Sequence, residues 1–388
     1  MTEVIRDDIH VRTLASGGEL KFPVFYINGA AERPKVYIQA NIHGPEIAGI
    51  GAIHDLLKLL EAEPIINGSL VIIPSVNPTG LDSKINGMQV GYADLNETEV
   101  GNFNRIYKML VAPSASDDPD APQKLALDEF VQAHLESDLP TIKAEFRKGL
   151  AAALADMQAK NQPYGFSHGQ RLASIIQGLS YDADYLIDLH TAGKAVYHLY
   201  TFRECLDAVP YFDLAYTLLL EPDSFAGVLD EAFLQPWLHL RDAFAAVGRD
   251  IPFDDFDLAA FTPELGSADT LTREDMQHDA QRIMNYLRYK GVIPGEAIQH
   301  EGDYVACEHR HYRRYRATTG GLLLWHKHAG DHVRAGETIA TILRTYAAEE
   351  TERPIIAVED GIMINHVESQ VVHEGMGVCS VMTQLQTV

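Results

Sequence analysis

Residues 43–46 read His-Gly-Pro-Glu, an imidazole and a carboxylate three positions apart. Side chains three apart at the start of a helix project from one face, so His43 and Glu46 can grip a small cation from adjacent directions. The spacing permits such a site without requiring one, because a plain strand-to-helix turn looks the same. His190 closes another apolar run, Tyr-Leu-Ile-Asp-Leu-His. Open α/β sheets place their ligand crevices at the carboxyl ends of strands. Two histidines and a glutamate meeting there supply two nitrogens and one oxygen, a zinc set that leaves the fourth tetrahedral position to water. Such a water titrates near pH 7, so hydrolysis then needs only a carboxylate to take its proton. Glu264, in Phe-Thr-Pro-Glu-Leu-Gly, ends an apolar stretch before a glycine turn and is the candidate base. Asn104 and Arg105 follow Gly101, and an arginine fork binds a carboxylate through two parallel hydrogen bonds. Taken singly, each residue also fits a bland place: a turn or core histidine, a solvated acid, a surface ion pair.

These side chains need strands that end beside one another. Residues 20–27 and 35–42 read as strands, 46–63 as a helix and 68–76 as a strand, which predicts an α/β sheet with crossover connections. On this reading His43 stands at a strand end and Glu46 on the first helical turn. Residues 114–122, rich in Ser, Asp and Pro, predict a loop, and the amphipathic stretches after it predict a helical insertion over about residues 111–180. The next buried strand covers 183–190. A strand at 196–202, a helical region over about 211–248, the apolar run 257–267 and a helix at 273–292 complete a first unit. From about residue 300 the texture changes to short strands and glycine turns in two similar halves, as expected of an all-β module. The expected organisation is therefore residues 1–299 and 300–388.

Bulk composition narrows the function. The 388 residues include 31 Lys plus Arg against 55 Asp plus Glu, a net charge of −24, which argues against nucleic acid or an anionic membrane as partner. An anionic substrate would need local positive charge from a metal or an arginine. Three widely spaced cysteines exclude a disulfide framework and point to a reducing compartment. The acidic start, residues 1–13, does not read as a secretory signal, and no apolar run approaches membrane-spanning length, so a cytoplasmic protein is expected.

In order along the chain, His-Gly-Pro-Glu at 43–46, Asn-Pro-Thr-Gly at 77–80, Asn-Phe-Asn-Arg at 102–105, Asp-Leu-His at 188–190 and Thr-Pro-Glu-Leu-Gly at 262–266 resemble the succinylglutamate desuccinylase and aspartoacylase family, relatives of the zinc carboxypeptidases. The similarity covers about residues 20–295. It implies a mixed sheet flanked by helices, one zinc per chain on His43, Glu46 and His190, Glu264 as base and then acid, and Asn104 with Arg105 clamping a substrate carboxylate. It also implies that Asp188 supports a ligand from behind. The activity implied is removal of the acyl group from a small N-acyl amino acid. A carboxypeptidase acting on peptides and a non-catalytic metal- or ligand-binding protein are the competing readings.

One departure stands out. Relatives often carry another arginine shortly before the asparagine-arginine pair, where this chain has only Lys84 between Gly80 and Asn104. Either zinc takes over its work or an arginine comes from elsewhere, and a cationic or neutral substrate is as compatible as a dianionic one. The C-terminal residues 328–342 and 359–378 resemble the barrel-sandwich hybrid of lipoyl and biotinyl domains. No lysine follows Lys327, so the module is no swinging-arm carrier. It is expected to cap the rim of the site or support a homo-oligomer, with His326, His328, His332, His366 and His373 scattered on its surface.

Overall fold

The computed structural model describes residues 3–62, 67–93 and 101–388. Its frame is a ten-stranded mixed sheet. Four central strands run parallel in the order Ser69–Ile73, Lys35–Ala40, Tyr185–Ala192 and Ala259–Ser267. Glu19–Asn28 and Val4–Thr13 extend one side antiparallel, and the second of these is a strand the sequence reading had not anticipated. On the other side His198–Thr201 runs antiparallel to Ala259–Ser267.

Tyr185–Ala192 shows no alternation of polar and apolar residues because it is buried on both faces. The helices Ala48–Ala62 and Leu229–Ala246 both pack against it, and Ala48–Ala62 also packs on Arg273–Tyr289. Strands so covered are runs of branched and aromatic residues. Asp188 and His190 interrupt this one, and a buried polar group without a partner costs on the order of 2 kcal/mol or more. They therefore have to be paired. Between Ser69–Ile73 and Tyr185–Ala192 come the helices Leu127–Ala133, Leu139–Asn161 and His168–Ser180. Asp138 and Ser167 start the last two by accepting the backbone N–H of Thr141 and Gln170, the usual way an orphaned first-turn donor is satisfied.

Two expectations are corrected. The region 211–248 is not helical throughout: Tyr216–Leu219 is a strand, parallel to His198–Thr201 and to Val305–Glu308. Its short apolar run is buried in the sheet, and the long helix begins only at Leu229, after Gly227 at φ +84°. Glu46 is not on the first helical turn, because the helix begins at Ala48. The pair is held by a turn instead. Glu63, the last residue of the expected helix, lies outside the described residues.

Beyond residue 300, Val305–Glu308 and Gln386–Thr387 join the large sheet. Between them the chain forms a four-stranded antiparallel sheet, Glu352–Ile356, Thr338–Leu343, Gly321–Trp325 and Val371–Val372. A second sheet contains Gly361–His366, Gly377–Thr383 and Tyr312–Arg316. The two enclose their own core, which includes Leu323, Ile339, Ile342, Met363 and Val381. Lys194–Ala195 adds to the second sheet, pairing with His366 and Asn365. The approach is close: a Cβ on Gly193 would stand 2.8 Å from the His366 carbonyl oxygen, so only glycine fits. This contact, three residues after His190, seats the C-terminal sheets beside the carboxyl ends of the parallel strands. His366 itself is buried, its ring 4.6 Å from that of Trp325, unlike the surface position expected of it. Among the described residues no helix is long and apolar enough to cross a membrane.

Candidate active site

The turn after Lys35–Ala40 is fixed by polar side chains. Asn41 takes φ 62°, a left-handed conformation that asparagine tolerates better than most residues. Its Nδ2 donates to the carbonyls of His43, Gly44 and Glu46 at 2.9, 3.1 and 3.2 Å, so the whole His-Gly-Pro-Glu turn wraps one amide. Asn77 locks the turn from outside. Its Nδ2 donates to the Ile42 carbonyl at 2.7 Å, while its Oδ1 accepts the Gly80 N–H and caps a short helix. A Cβ on Gly44 would fall 2.0 Å from the Gly80 carbonyl oxygen. Gly44 is thus required by its packing on the Gly80 backbone, whereas a Cβ on Gly80 would meet Asn77 Nδ2 at 2.8 Å and the Gly91 carbonyl oxygen at 2.9 Å.

His43, Glu46 and His190 converge, with one donor atom from each within 4.8 Å of the others. His43 Nδ1 is 2.8 Å from Glu46 Oε1, and His190 Nδ1 is 2.9 Å from Glu46 Oε2. The protonation of the rings follows from their far sides. Asn102 Oδ1 accepts the Asn104 N–H at 2.7 Å, which fixes the orientation of that amide; it also lies 2.9 Å from His43 Nε2, which must therefore be the donor. His190 Nε2 is 3.2 Å from Asp188 Oδ2 and is likewise a donor. Asp188 is held in turn by the Gln39 amide at 2.8 Å. With both protons committed outward, two Nδ1 lone pairs face the two oxygens of one carboxylate in a buried space. Acceptors so opposed need a cation between them, and two imidazoles with a carboxylate are a donor set for a divalent ion of the zinc type. The residues fit that group. Without a metal a second ring proton can serve as that cation: burial alone would raise the Glu46 carboxyl, but the facing imidazoles of His43 and His190 bring it down to about 2. Burial would lower His190, and Asp188 and Glu46 together raise it well above its ordinary value.

Glu264 is level with His190 on the adjacent parallel strand, so the sheet puts both at the same height. Burial pushes its carboxyl up to about 8; His190 opposes this, while Glu46, Asp188 and Asp230 add to it. Asn104 comes within 3.5 Å of His190 through its side chain, and Arg105 is exposed at the rim with Nη1 on the Asn104 carbonyl at 2.5 Å. All six predicted residues line one cavity of about 240 Å³. Glu264 Oε2 and Asn104 Oδ1 are both buried in it without a hydrogen-bond partner among the described residues. Native proteins leave few such atoms unpaired, and clusters of them mark places where a ligand completes the bonding.

Other lining residues were missed by the sequence reading. Asn102 was visible in the motif, but its hold on His43 is a contact across 59 residues. Asp230, pushed up to about 7 by burial against the pull of the Thr262 hydroxyl, comes from the helix Leu229–Ala246. Tyr312 and Arg314 come from the C-terminal strand Tyr312–Arg316 and carried no local signal at all.

A pocket at the carboxyl ends of parallel strands, built around two imidazoles and a carboxylate, defines an α/β protein with a candidate metal site. The description "Succinylglutamate desuccinylase/Aspartoacylase catalytic domain" matches residues 32–143. A solved structure from Shewanella frigidimarina NCIMB 400, described as a succinylglutamate desuccinylase/aspartoacylase, is 30% identical; the match covers 100% of this chain and 99% of that one, with a TM-score of 0.88. A family protein from Shewanella amazonensis SB2B is 31% identical over 99% of this chain and 100% of its own, with a TM-score of 0.86. A succinylglutamate desuccinylase/aspartoacylase from Rhodobacter sphaeroides, 15% identical over 99% of this chain and 96% of its own, shares the fold at a TM-score of 0.65. No curated protein gives a match. The chain belongs to the succinylglutamate desuccinylase/aspartoacylase family.

Proposed function

We propose that the chain is a zinc-dependent amidohydrolase that removes the acyl group from a small N-acyl amino acid, with His43, Glu46 and His190 holding one zinc. A zinc ion bound there would act as a Lewis acid, lowering the pKa of a water in its open position and polarising an amide carbonyl. The residues of the chain do the rest. Glu264, lifted to about 8 by burial, has a strong affinity for a proton near neutrality. It takes the proton of the attacking water and returns it to the leaving amine nitrogen. Asn104 and Arg105 hold the substrate carboxylate and so fix the distance between that carboxylate and the scissile bond. Asn102 and Asp188 keep the Nε2 protons of the two histidines pointing outward.

The observation that carries this reading is the pair of buried unpaired oxygens, on Glu264 and Asn104, in the same cavity as the cation-demanding triad. A small substrate is favoured over a peptide because Tyr312 and Arg314 of the C-terminal strand close one side of the cavity. On this reading residues 1–299, with the helical insertion at about 111–180, form the hydrolase unit. Residues 300–388 form an all-β module of the barrel-sandwich hybrid kind that caps its rim. Three free, buried cysteines support a cytoplasmic location.

Zinc-loaded protein tested on a panel of N-acyl amino acids and C-terminally free peptides decides the matter. Turnover of N-acyl amino acids that falls on lengthening the substrate is expected. Glu264→Gln should lower it by about 10²–10⁴-fold while about one zinc per chain stays bound. Undiminished turnover in the metal-free protein would exclude the proposal, and a preference for peptides would replace it with the carboxypeptidase.

A further inference from the structure

A second and larger cavity lies away from the metal triad, about 580 Å³ against about 240 Å³ for the catalytic one. Sites for small molecules fall in a range of roughly 300–1,000 Å³. Its walls belong to the helical insertion. Ala153, Met157 and Asn161 stand four apart on the helix Leu139–Asn161 and form one stripe along it. Across from this stripe runs the loop 113–124, which includes the Ser-, Asp- and Pro-rich residues 114–122. Asp156 Oδ2 accepts the Gln123 N–H at 2.7 Å, Lys160 donates to the Pro119 carbonyl, and the Leu125 N–H returns to the Leu110 carbonyl at 2.9 Å. Asp156 and Lys160 are themselves four apart, so the loop is tied along one line of the helix and the cavity opens along the next.

The lining divides by chemistry. Met109, Leu110, Met157 and Phe225 give it apolar walls, with the Phe225 ring 38% exposed. Flexible thioethers let such a wall fit an alkyl chain closely. Its ionisable lining residues are Lys108 and Lys124 alone; both are exposed, and neither has an ion pair among the described residues. In a chain with 55 acids and 31 bases, a cavity bordered by two ammonium groups and no carboxylate is chemically distinct from its surroundings. An apolar interior with cations at the mouth fits a molecule with an apolar body and one negative end that stays in water. The cavity is not a branch of the catalytic one. Phe225 lines the first while Ser224 and Ala226 line the second, and the Tyr107 N–H on the Gly227 carbonyl at 3.2 Å ties the wall between them.

We propose that this cavity is a second ligand site, and that its ligand is a medium-chain carboxylate. The alkyl chain lies against Met109, Met157 and Phe225, and the carboxylate stands beside Lys108 and Lys124 at the mouth. An amine of the same shape meets two like charges there, and a small polar anion leaves the thioethers and the phenyl ring in water. The inference goes beyond the deacylase reading and does not rest on it, because none of the residues it names belongs to the catalytic cavity.

Calorimetric titration of the zinc-loaded full chain with butanoate, hexanoate, octanoate, octanol and octylamine tests the site without turnover. Octanoate should saturate one site per chain, and affinity should rise about tenfold for every two methylenes along the carboxylate series. It should bind about fivefold more tightly than octanol, with octylamine weaker still, and this margin should shrink as salt is added. Changing Lys108→Gln and Lys124→Gln together should remove the margin and leave the octanol affinity as it was. Met157→Asp should weaken octanoate by tenfold or more; if that variant does not fold, the chain-length series and the lysine pair still decide. Phe225→Trp sets a fluorophore in the wall, and octanoate should shift its emission with the dissociation constant that calorimetry gives. Absence of saturable octanoate binding, or an affinity indifferent to chain length, overturns the proposal. So does binding that is lost in Arg105→Gln or on removal of zinc, since the ligand would then sit in the catalytic cavity.

Discussion

The central strand Tyr185–Ala192 has buried acids at both ends, and the two ends treat them differently. At its start, Asp184 is met by Arg147 at 2.6 Å, by Arg33 at 2.9 Å and by the Lys35 N–H at 2.7 Å. Two cations answer one carboxylate. Near its finish, Asp188, Glu46, Glu264 and Asp230 crowd around His190 and His43, with no lysine or arginine ion-paired to any of them among the described residues. One end is neutralised from within the chain, while the other keeps a deficit of positive charge. A structural end can be satisfied by its own side chains, whereas at the other end the proposed ion and substrate would do so.

Adding and removing zinc is the strongest way to break this contrast. Zinc at about a thousand times its dissociation constant should stabilise the fold by about 4 kcal/mol, and a chelator should abolish the gain. Thermal unfolding with and without chelator measures it, and Glu46→Gln should show no difference between the two conditions. The neutralised end should respond to mutation instead of metal. Asp184→Ala strands Arg147, which has no other ion pair among the described residues, and should cost about 3 kcal/mol in denaturant unfolding while leaving zinc stoichiometry unchanged. Loss of zinc binding in that variant would show that the two ends are not independent.

The smallest effect sharpens the comparison through pH. Asp230 has no cation, and burial pushes its carboxyl up to about 7 from an ordinary 3.8. Below the unfolded value both states carry the proton. Between that value and about 7 only the folded state keeps it, so stability falls as pH rises through this window and levels off above it. Asp230→Asn removes the penalty. The difference in unfolding free energy between variant and wild type, measured on metal-free protein, should grow in favour of the variant across this range, to on the order of 2 kcal/mol. A flat difference would mean that Asp230 is ionised throughout.

The parallel core was legible because its strands are apolar runs and its helices amphipathic. The strand Tyr216–Leu219 was not, because four residues carry too little periodicity to be told from a buried helical segment. The turn holding Glu46 was read as helix because spacing alone cannot separate a helical turn from one wrapped around Asn41. His43, Glu46, Asn104, Arg105, His190 and Glu264 were nameable from short motifs since each stands at a break in a pattern. Asn102 lay inside one of those motifs, but its bond to His43 did not.

The sequence by itself determined the chemistry available: imidazoles and carboxylates at the ends of apolar runs, an arginine after an asparagine, an excess of acid over base. Those are properties of residue type and local order, which neighbouring positions suffice to express. Only the tertiary structure decided which nitrogen of each histidine faces inward, which carboxylates remain without a cation, and that Arg314 reaches the cavity from a strand more than a hundred residues beyond His190. Such facts depend on distances between chain segments that no local pattern encodes.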